Sequence, residues 1–193
     1  MSGERRYNEH ETDRKTKESE RTRDLEDLLI CVDPLDVPVG TMGKEECHRR
    51  GLLHRAFSIF LYHDHRVLLQ RRALHKYHSG GLWANSCCSH PRDGETLEDA
   101  VQRRLMDELG VSCPCREVGS FVYRHAFAPD LYEYEYDHVF VGEYAGPVAP
   151  NPEEIMETRW YTKEEVLSLL TRAPARFAPW FITAFPMALE HMK

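Results

Sequence analysis

Short apolar runs separated by turn residues dominate the chain after residue 27, and they predict a series of β-strands. The runs cover residues 28–32, 37–41, 55–62, 67–70, 117–127, 132–144 and 155–161. Turn signals such as Asp33-Pro34 and Ser79-Gly80-Gly81 separate several of them. In the run that begins at Tyr132, tyrosines alternate with acidic residues, which predicts that the two sets lie on opposite faces of one strand.

Helical patterns are fewer than strand patterns. Thr96 is a suitable N-cap, leucine or valine then recurs every four residues, and Gly110 stands where a helix would end. Residues 162–165 form a capping box that begins a helix to Leu170, and Trp180 begins a last helix to Met192. Because strands outnumber helices and do not alternate regularly with them, we predict an α+β fold, a layered domain with a mixed β-sheet, rather than a Rossmann domain.

The first 27 residues differ from the rest of the chain. Sixteen of them are charged, seven positive and nine negative, and they offer little apolar surface to bury. Such a segment cannot offset the entropy lost on ordering. We therefore predict a charged tail over residues 1–27, disordered or weakly helical, followed by one domain over residues 28–193.

Composition excludes several classes of protein. The net charge of −7 argues against nucleic acid or an anionic membrane as the main partner. No apolar run reaches the ~18–20 residues of a membrane span, and the polar first 20 residues do not resemble a secretory signal. We therefore expect a cytoplasmic protein whose six cysteines are reduced thiols and whose partner is a small molecule. The pattern does not specify an oligomeric state.

Eleven histidines are the one compositional excess, and they direct attention to metal binding. Glu133 and Glu135 lie two apart on a predicted strand, so their side chains point the same way, roughly 7 Å apart at Cα. With His48, His54 and His90 they offer a ligand set suited to zinc, manganese or magnesium. From spacing alone, however, a solvated strand face remains the default interpretation of the two carboxylates.

A thiol two residues from an imidazole is the second candidate. Cys88 precedes His90 in the segment 85–91 and could serve as a nucleophile or an acid–base group. The alternative is that Cys87 and Cys88 are small buried hydrophobes. Adjacent residues on an extended segment face opposite ways, so we expect one thiol at most to line a site.

A basic cluster and a helix motif suggest phosphate binding. Arg71, Arg72 and Lys76, with Lys44 upstream, could clamp phosphate oxygens or could simply form a solvated patch. The helix after Gly94 looks like a degraded Nudix box, in which carboxylates hold magnesium against a diphosphate. The matching residues are Glu95, Arg103, Leu105, Glu108, Gly110 and Val111. Ser89, Arg104 and Asp107 depart from the pattern.

The departure at Arg104 matters most, because a cation replaces a carboxylate at the centre of the metal site. We therefore expect that the helix preserves the fold but not ordinary hydrolysis. Glu108, backed by Arg104, suits a diphosphate held through a single magnesium ion.

Four strings taken in order resemble the type I isopentenyl-diphosphate isomerases of the Nudix superfamily. They are GLLHRAFS at 51–58, LQRRAL at 69–74, WANSCCSHP at 83–91 and YEYE at 132–135. The resemblance runs from about residue 28 to residue 180. It implies an α+β fold with a Nudix-type mixed β-sheet core sandwiched by helices. It implies a divalent metal (zinc, manganese or magnesium) on His48, His54, His90, Glu133 and Glu135. It implies catalytic roles for Cys88, Glu135, Tyr123 and Trp180. It implies diphosphate binding by Lys44, Arg72, Lys76 and Arg104, with Glu108 beside a magnesium ion that accompanies the substrate.

The implied activity moves a double bond by one carbon, from isopentenyl to dimethylallyl diphosphate. The expected route adds a proton to the terminal CH₂, forms a tertiary carbocation and removes a proton on its other side, in isoprenoid biosynthesis. Two alternatives remain: a Nudix hydrolase that cleaves a diphosphate, and an inactive binding module on the same scaffold. The order of proton transfer between Cys88 and Glu135 is left open.

Overall fold

The computed structural model describes residues 28–192, so the predicted charged tail at residues 1–27 lies outside the described part of the chain. Nine strands and four α-helices occur within the described residues. The strands are β1 (Leu28–Val32), β2 (Pro38–Gly43), β3 (His54–His63), β4 (Arg66–Arg72), β5 (Trp83–Ala84), β6 (Cys87–Ser89), β7 (Arg116–Ala128), β8 (Leu131–Glu143) and β9 (Ile155–Thr162). The helices are α1 (Lys44–Arg50), α2 (Leu97–Leu109), α3 (Lys163–Arg172) and α4 (Phe181–Leu189), with a 3₁₀ turn at Pro174–Arg176.

Strand β3 is the centre of the sheet. It runs parallel to β8 and antiparallel to β1, β4 and β6. Strand β8 continues antiparallel to β7, while β4 continues antiparallel to β5 and β9. The parallel register sets His54 opposite Glu135. Sheet pairing alone therefore brings together two predicted ligands that are far apart in sequence.

Two apolar layers cover the two faces of the sheet. Ile59 of β3 belongs to the layer that contains Leu105 of α2. Its neighbour Phe60 points the other way and contacts Phe181 of α4, with ring centroids 5.8 Å apart. This alternation follows from the pleat of the strand. The sheet thus lies between helices, which confirms the predicted fold class.

Helix α2 begins and ends where the sequence predicted. The Thr96 side chain accepts a hydrogen bond from the backbone N–H of Asp99, as an N-cap does. Leu105 and Leu109 are fully buried, and Gly110 ends the helix in the left-handed region at φ 64°. The predicted capping box at Thr162 and Glu165 is also present at the start of α3.

Helix α1 was not predicted. Its sequence, KEECHRR, has no repeating apolar positions, and only Cys47 and His48 are buried. Gly51 ends it in the left-handed region at φ 61°. The helix matters because Lys44 and His48 are four residues apart, which places them on one helical face.

The interpretation of the acidic residues of β8 as a solvated face is wrong. Glu133, Glu135 and Asp137 are 4%, 6% and 1% exposed. Strand β8 lies between β3 and β7, and polar groups from other elements cover this face. The Ser58 hydroxyl of β3, for example, donates to Asp137 at 2.8 Å. Buried carboxylates are tolerated where such partners exist.

All six cysteines lie within the described residues and are free thiols, as predicted. Residues 28–192 contain no helix that is long and apolar enough to cross a membrane.

Candidate active site

One cavity contains most of the predicted site residues. It opens between the β3–β8 face of the sheet, the loop after β4, the middle of α2 and the segment before α4. The predicted residues that line it are Lys44, Arg72, Lys76, Cys88, His90, Arg104, Glu133, Glu135 and Trp180. Groups from opposite ends of the chain therefore converge on one volume.

A cluster of imidazoles and a carboxylate forms one wall of this region. His48 comes from α1, His54 from the start of β3, His90 from the residue after β6, and Glu135 from β8. One ligand atom from each lies within 4.8 Å of the others. The Nε2 atoms of His48 and His54 face each other at 3.3 Å, and His90 Nε2 lies 3.0 Å from Glu135 Oε1.

The electrostatics of the cluster suit a divalent cation. Burial, together with the neighbouring imidazoles, lowers the pKa of His48 to about 2. Burial likewise lowers the pKa of His90 to about 4. Neutral imidazole is the form that binds metals. For Glu135, burial would raise the pKa, but contacts with His54 and His90 outweigh it and hold the pKa well below its usual range. The donor set therefore fits a cation.

The orientation of His54 is fixed by the backbone. Its Nδ1 lies 2.9 Å from the carbonyl oxygen of Leu52, which can only accept a hydrogen bond. A proton therefore resides on Nδ1, and Nε2 is the atom directed toward the cluster. Burial opposes a charge on the ring, but contacts with Cys47 and Glu135 outweigh it and raise the pKa of His54 to about 10, so a cation would replace a proton on Nε2.

Glu133 lies beside the cluster rather than among its converging atoms. Its Oε1 is 2.7 Å from His78 Nε2, and its Oε2 is 2.6 Å from the Tyr123 hydroxyl. The same hydroxyl is 2.6 Å from Oε2 of Glu135. Tyr123 thus links the two carboxylates, and burial raises its pKa well above the usual value. The phenol keeps its proton and can donate it to either carboxylate.

The two adjacent thiols of β6 face opposite ways, as predicted. Cys87 is fully buried in the apolar layer beneath α2. Cys88 lines the cavity, and its sulfur is 3.7 Å from Nη1 of Arg72. Burial raises the pKa of Cys88 despite the opposing effect of Arg72, so the group stays a protonated thiol.

Cations gather on the opposite wall. Arg104 Nη2 lies 2.5 Å from Glu108 Oε1 and 3.5 Å from Glu154 Oε1, and Lys76 also binds Glu154. The Nε atoms of Arg72 and Arg104 are buried without a hydrogen-bond partner among residues 28–192. Two buried donors without partners indicate that this wall is built to receive an anion.

The degraded Nudix motif is held together internally. Arg103 pairs with Glu95 at 2.7 Å, which fixes the loop before α2 to the helix. Glu108 is buried beside Arg104, with Gln70 Nε2 at 3.4 Å, and lies outside the imidazole cluster. Burial raises the pKa of Glu108, while Arg104 opposes that effect.

Trp180 precedes α4 and closes the apolar side of the cavity. Its indole N–H donates to Asn85 Oδ1 at 3.0 Å, and the Arg72 guanidinium lies 5.3 Å from its ring centroid. The indole is 3% exposed. It therefore offers a fixed aromatic surface next to a cation-binding wall.

Four residues with polar contacts at the site were not predicted from the sequence. They are Tyr77, His78, Asn85 and Glu154. The only signal for them was local: an unusual His in the loop after β4, an Asn beside the two cysteines, and an acidic pair before β9. None of these signals specifies a partner.

Comparisons with known proteins agree on the kind of molecule. The NUDIX domain family matches residues 52–181. Isopentenyl-diphosphate Delta-isomerase 2 of Photorhabdus laumondii is 46% identical over 159 residues, which cover 81% of this chain and 89% of that protein. Isopentenyl-diphosphate Delta-isomerase of Burkholderia multivorans is 49% identical over 158 residues, covering 81% and 90%.

Solved structures agree on the fold. Protein DR0079 of Deinococcus radiodurans has a TM-score of 0.61 and 22% identity, covering 76% of this chain and 90% of its own. The MutT protein of Methanosarcina mazei has a TM-score of 0.59 and 17% identity, covering 73% and 96%. At these identities the likeness shows the fold alone.

Proposed function

The chain belongs to the isopentenyl-diphosphate Delta-isomerases of the NUDIX family, and we propose that Cys88 and Glu135 carry out its reaction, the isomerisation of isopentenyl diphosphate to dimethylallyl diphosphate. The observation that carries this assignment is that the thiol and the carboxylate line the same cavity as a cation-rich wall. A diphosphate bound to that wall would hold its short alkenyl chain against both groups.

The diphosphate is assigned to the basic wall. Arg72 and Arg104 offer buried Nε–H donors, while Lys76 and Lys44 line the same cavity. Charge-assisted hydrogen bonds to phosphate oxygens are about twice as strong as neutral ones. Glu108 lies beside Arg104 and, together with the diphosphate, would bind a magnesium ion brought with the substrate.

His48, His54, His90 and Glu135 would hold a resident divalent cation, with Glu133 next to them. Zinc, manganese and magnesium all accept this mixture of imidazole and carboxylate ligands. When bound, such a cation would orient the Glu135 carboxylate and tune its acidity.

Proton transfer needs one group on each side of the double bond. Burial keeps a proton on the Cys88 thiol, whereas Glu135 is held as a carboxylate. The Tyr123 hydroxyl bridges Glu135 and Glu133 and can pass a proton to or from Glu135. One group adds a proton to the terminal CH₂ of the substrate. The other removes a proton from the carbon nearer the oxygen.

The carbocation between these two steps must be shielded from water. Trp180 is buried at the cavity and could stabilise positive charge through its π face, by ~0.5–2 kcal/mol. The hydrogen bond to Asn85 holds the indole in place. Without this wall, capture of the cation by water would give an alcohol.

A diphosphate hydrolase is the competing function on this fold. Hydrolysis in NUDIX proteins relies on carboxylates of the Nudix box, the motif that α2 carries in this chain. Here Arg104 pairs with Glu108 in the middle of that motif. Hydrolysis also has no need of the Cys88 thiol. Both features favour isomerisation.

The experiment is replacement of Cys88 by Ala. We expect loss of turnover with wild-type metal content and an unchanged unfolding transition, because the thiol faces the cavity rather than the apolar layers. Cys115→Ala is the matched control, since that thiol lies outside the cavity-lining set. An active Cys88→Ala protein would show that the acid–base assignment is wrong.

A further inference from the structure

The loop between β4 and β5 places two adjacent aromatic side chains against the imidazole and carboxylate cluster. Tyr77 and His78 both line the cavity, with ring centroids 4.3 Å apart in an edge-to-face arrangement. The loop is closely packed: a Cβ at Gly80 would come within 2.5 Å of the carbonyl oxygen of Leu74. His78 is buried, whereas Tyr77 is about half exposed and is held at the cluster by its contacts with His48.

Tyr77 contacts the outer nitrogen of His48. Its hydroxyl lies 2.9 Å from His48 Nδ1, and the two rings are nearly parallel at 19°, with centroids 5.6 Å apart. The other nitrogen of His48, Nε2, faces His54 inside the cluster. One ring nitrogen is thus directed to the cation position and the other to the phenol.

The direction of this hydrogen bond decides whether His48 can be a ligand. A hydroxyl can donate or accept, unlike the Leu52 carbonyl that fixes His54. If Tyr77 accepts, the proton stays on Nδ1 and Nε2 keeps its lone pair for a cation. Metal-binding imidazoles almost always donate from the second nitrogen in this way.

His78 makes the corresponding contact with Glu133. Its Nε2 lies 2.7 Å from Glu133 Oε1, and its side chain is 3% exposed. The ring is stacked on Phe127 with centroids 4.6 Å apart, and Ser79 Oγ is 3.3 Å from Nδ1. An N–H donor on Nε2 satisfies the contact with Glu133, and an acceptor on Nδ1 satisfies the contact with the Ser79 hydroxyl.

We propose that Tyr77 and His78 are positioning residues of the metal centre: Tyr77 accepts a hydrogen bond from Nδ1 of His48, and His78 donates one to Glu133. Each contact fixes the orientation of a group that binds or borders the cation. The inference rests on the proposed function, because it requires a cation at the His48–Glu135 cluster.

The test measures Zn²⁺ affinity of metal-free protein by competition with a fluorescent chelator. Tyr77→Phe keeps the ring and its stacking on His48 but removes the hydroxyl. We expect Zn²⁺ binding to weaken by about 10- to 100-fold, the usual effect of losing such an outer contact. Tyr144→Phe is the matched control, because its hydroxyl donates to Pro147 O outside the cavity, and it should leave affinity unchanged.

His78 is tested by two replacements. His78→Leu removes the donor to Glu133 and should weaken Zn²⁺ binding by about tenfold or more. His78→Gln places an amide N–H near the position of Nε2 and should restore most of the affinity. Recovery in the Gln variant distinguishes the hydrogen bond from simple filling of the space beside Phe127.

Thermal unfolding of the same metal-free variants separates positioning from folding. For Tyr77→Phe, a change at a half-exposed side chain, the proposal predicts an unchanged midpoint without metal and a smaller rise on Zn²⁺ addition. A lower metal-free midpoint with unchanged Zn²⁺ affinity would assign a purely structural role and overturn the inference. A wild-type protein that binds no Zn²⁺, Mn²⁺ or Mg²⁺ would refute the metal centre itself. If the wild type binds Zn²⁺ and Tyr77→Phe binds it equally well, only the inference about Tyr77 fails.

Discussion

Asn85 is the residue whose replacement gives the sharpest quantitative prediction. Its side chain is fully buried between β5 and β6. Its Oδ1 accepts from the Trp180 indole at 3.0 Å, and its Nδ2 donates to the carbonyl oxygen of Cys87 at 2.5 Å. One amide thus holds the aromatic wall and the strand that carries Cys88.

Asn85→Asp changes the amide nitrogen to oxygen and leaves the shape intact. Protonated, the new carboxyl can still donate to Cys87 and accept from Trp180. Ionised, it would face the carbonyl oxygen of Cys87 at a fully buried position. The folded protein must therefore bind a proton that the unfolded chain, with an Asp pKa of about 3.9, does not bind at pH 7. The cost approaches about 1.36 × (7 − 3.9), or about 4 kcal/mol, and falls to about 1.5 kcal/mol at pH 5.

The sign follows from the raised pKa of the folded variant. The folded state binds more protons above pH ~3.9, so its stability relative to the wild type must fall as the pH rises. Urea unfolding of metal-free wild type and variant at pH 5, 6 and 7, followed by tryptophan fluorescence, measures this difference. Asn151→Asp is the control: Asn151 is only partly buried, its Oδ1 accepts from the backbone N–H of Glu153, and a carboxylate can keep that bond, so no such trend is expected. A destabilisation by Asn85→Asp that does not change with pH would refute the reasoning.

Three further predictions concern the site and the fold. Removing bound metal with a chelator should lower the free energy of unfolding. The expected loss is about 2.7 kcal/mol if the free metal had been at 100 times its dissociation constant. An unchanged melting temperature would argue against a resident cation. Trp180→Phe leaves Asn85 Oδ1 without its donor, so it should lower the free energy of unfolding by about 1–3 kcal/mol. It should also lower kcat more than it raises KM, and a wild-type kcat would contradict the role of the indole. Thr96→Ala removes the N-cap of α2 and should lower the free energy of unfolding, measured with urea, by about 1 kcal/mol without changing KM. A loss near zero would show that the cap is dispensable.

The sequence predicted features that depend on neighbouring residues. Thr96 and Gly110 bound α2 because capping and left-handed backbone are local preferences. Helix α1 escaped prediction because its charged sequence has no apolar period, and it is helical through the burial of Cys47 and His48. Its existence depends on tertiary packing, which local propensity does not describe.

Residue spacing along the sequence does not predict which site residues meet in the folded protein. His54 meets Glu135 only because β3 runs parallel to β8, a pairing between segments about 80 residues apart in sequence. Resemblance to a family predicted that His54 and Glu135 bind the same metal but not the strand pairing, whereas the residues alone left Glu135 on a solvated face. Tyr77 and His78 were missed for the same reason, because their partners come from α1 and β8.

The central claim is that the protein moves a double bond by adding and removing protons while leaving the diphosphate intact. The most direct test is to incubate the metal-replete protein with isopentenyl diphosphate and magnesium in deuterated water and to follow the reaction by NMR. The account predicts dimethylallyl diphosphate with deuterium in a methyl group and no released phosphate. Release of phosphate or pyrophosphate, or substrate that remains untouched by folded protein, would contradict it.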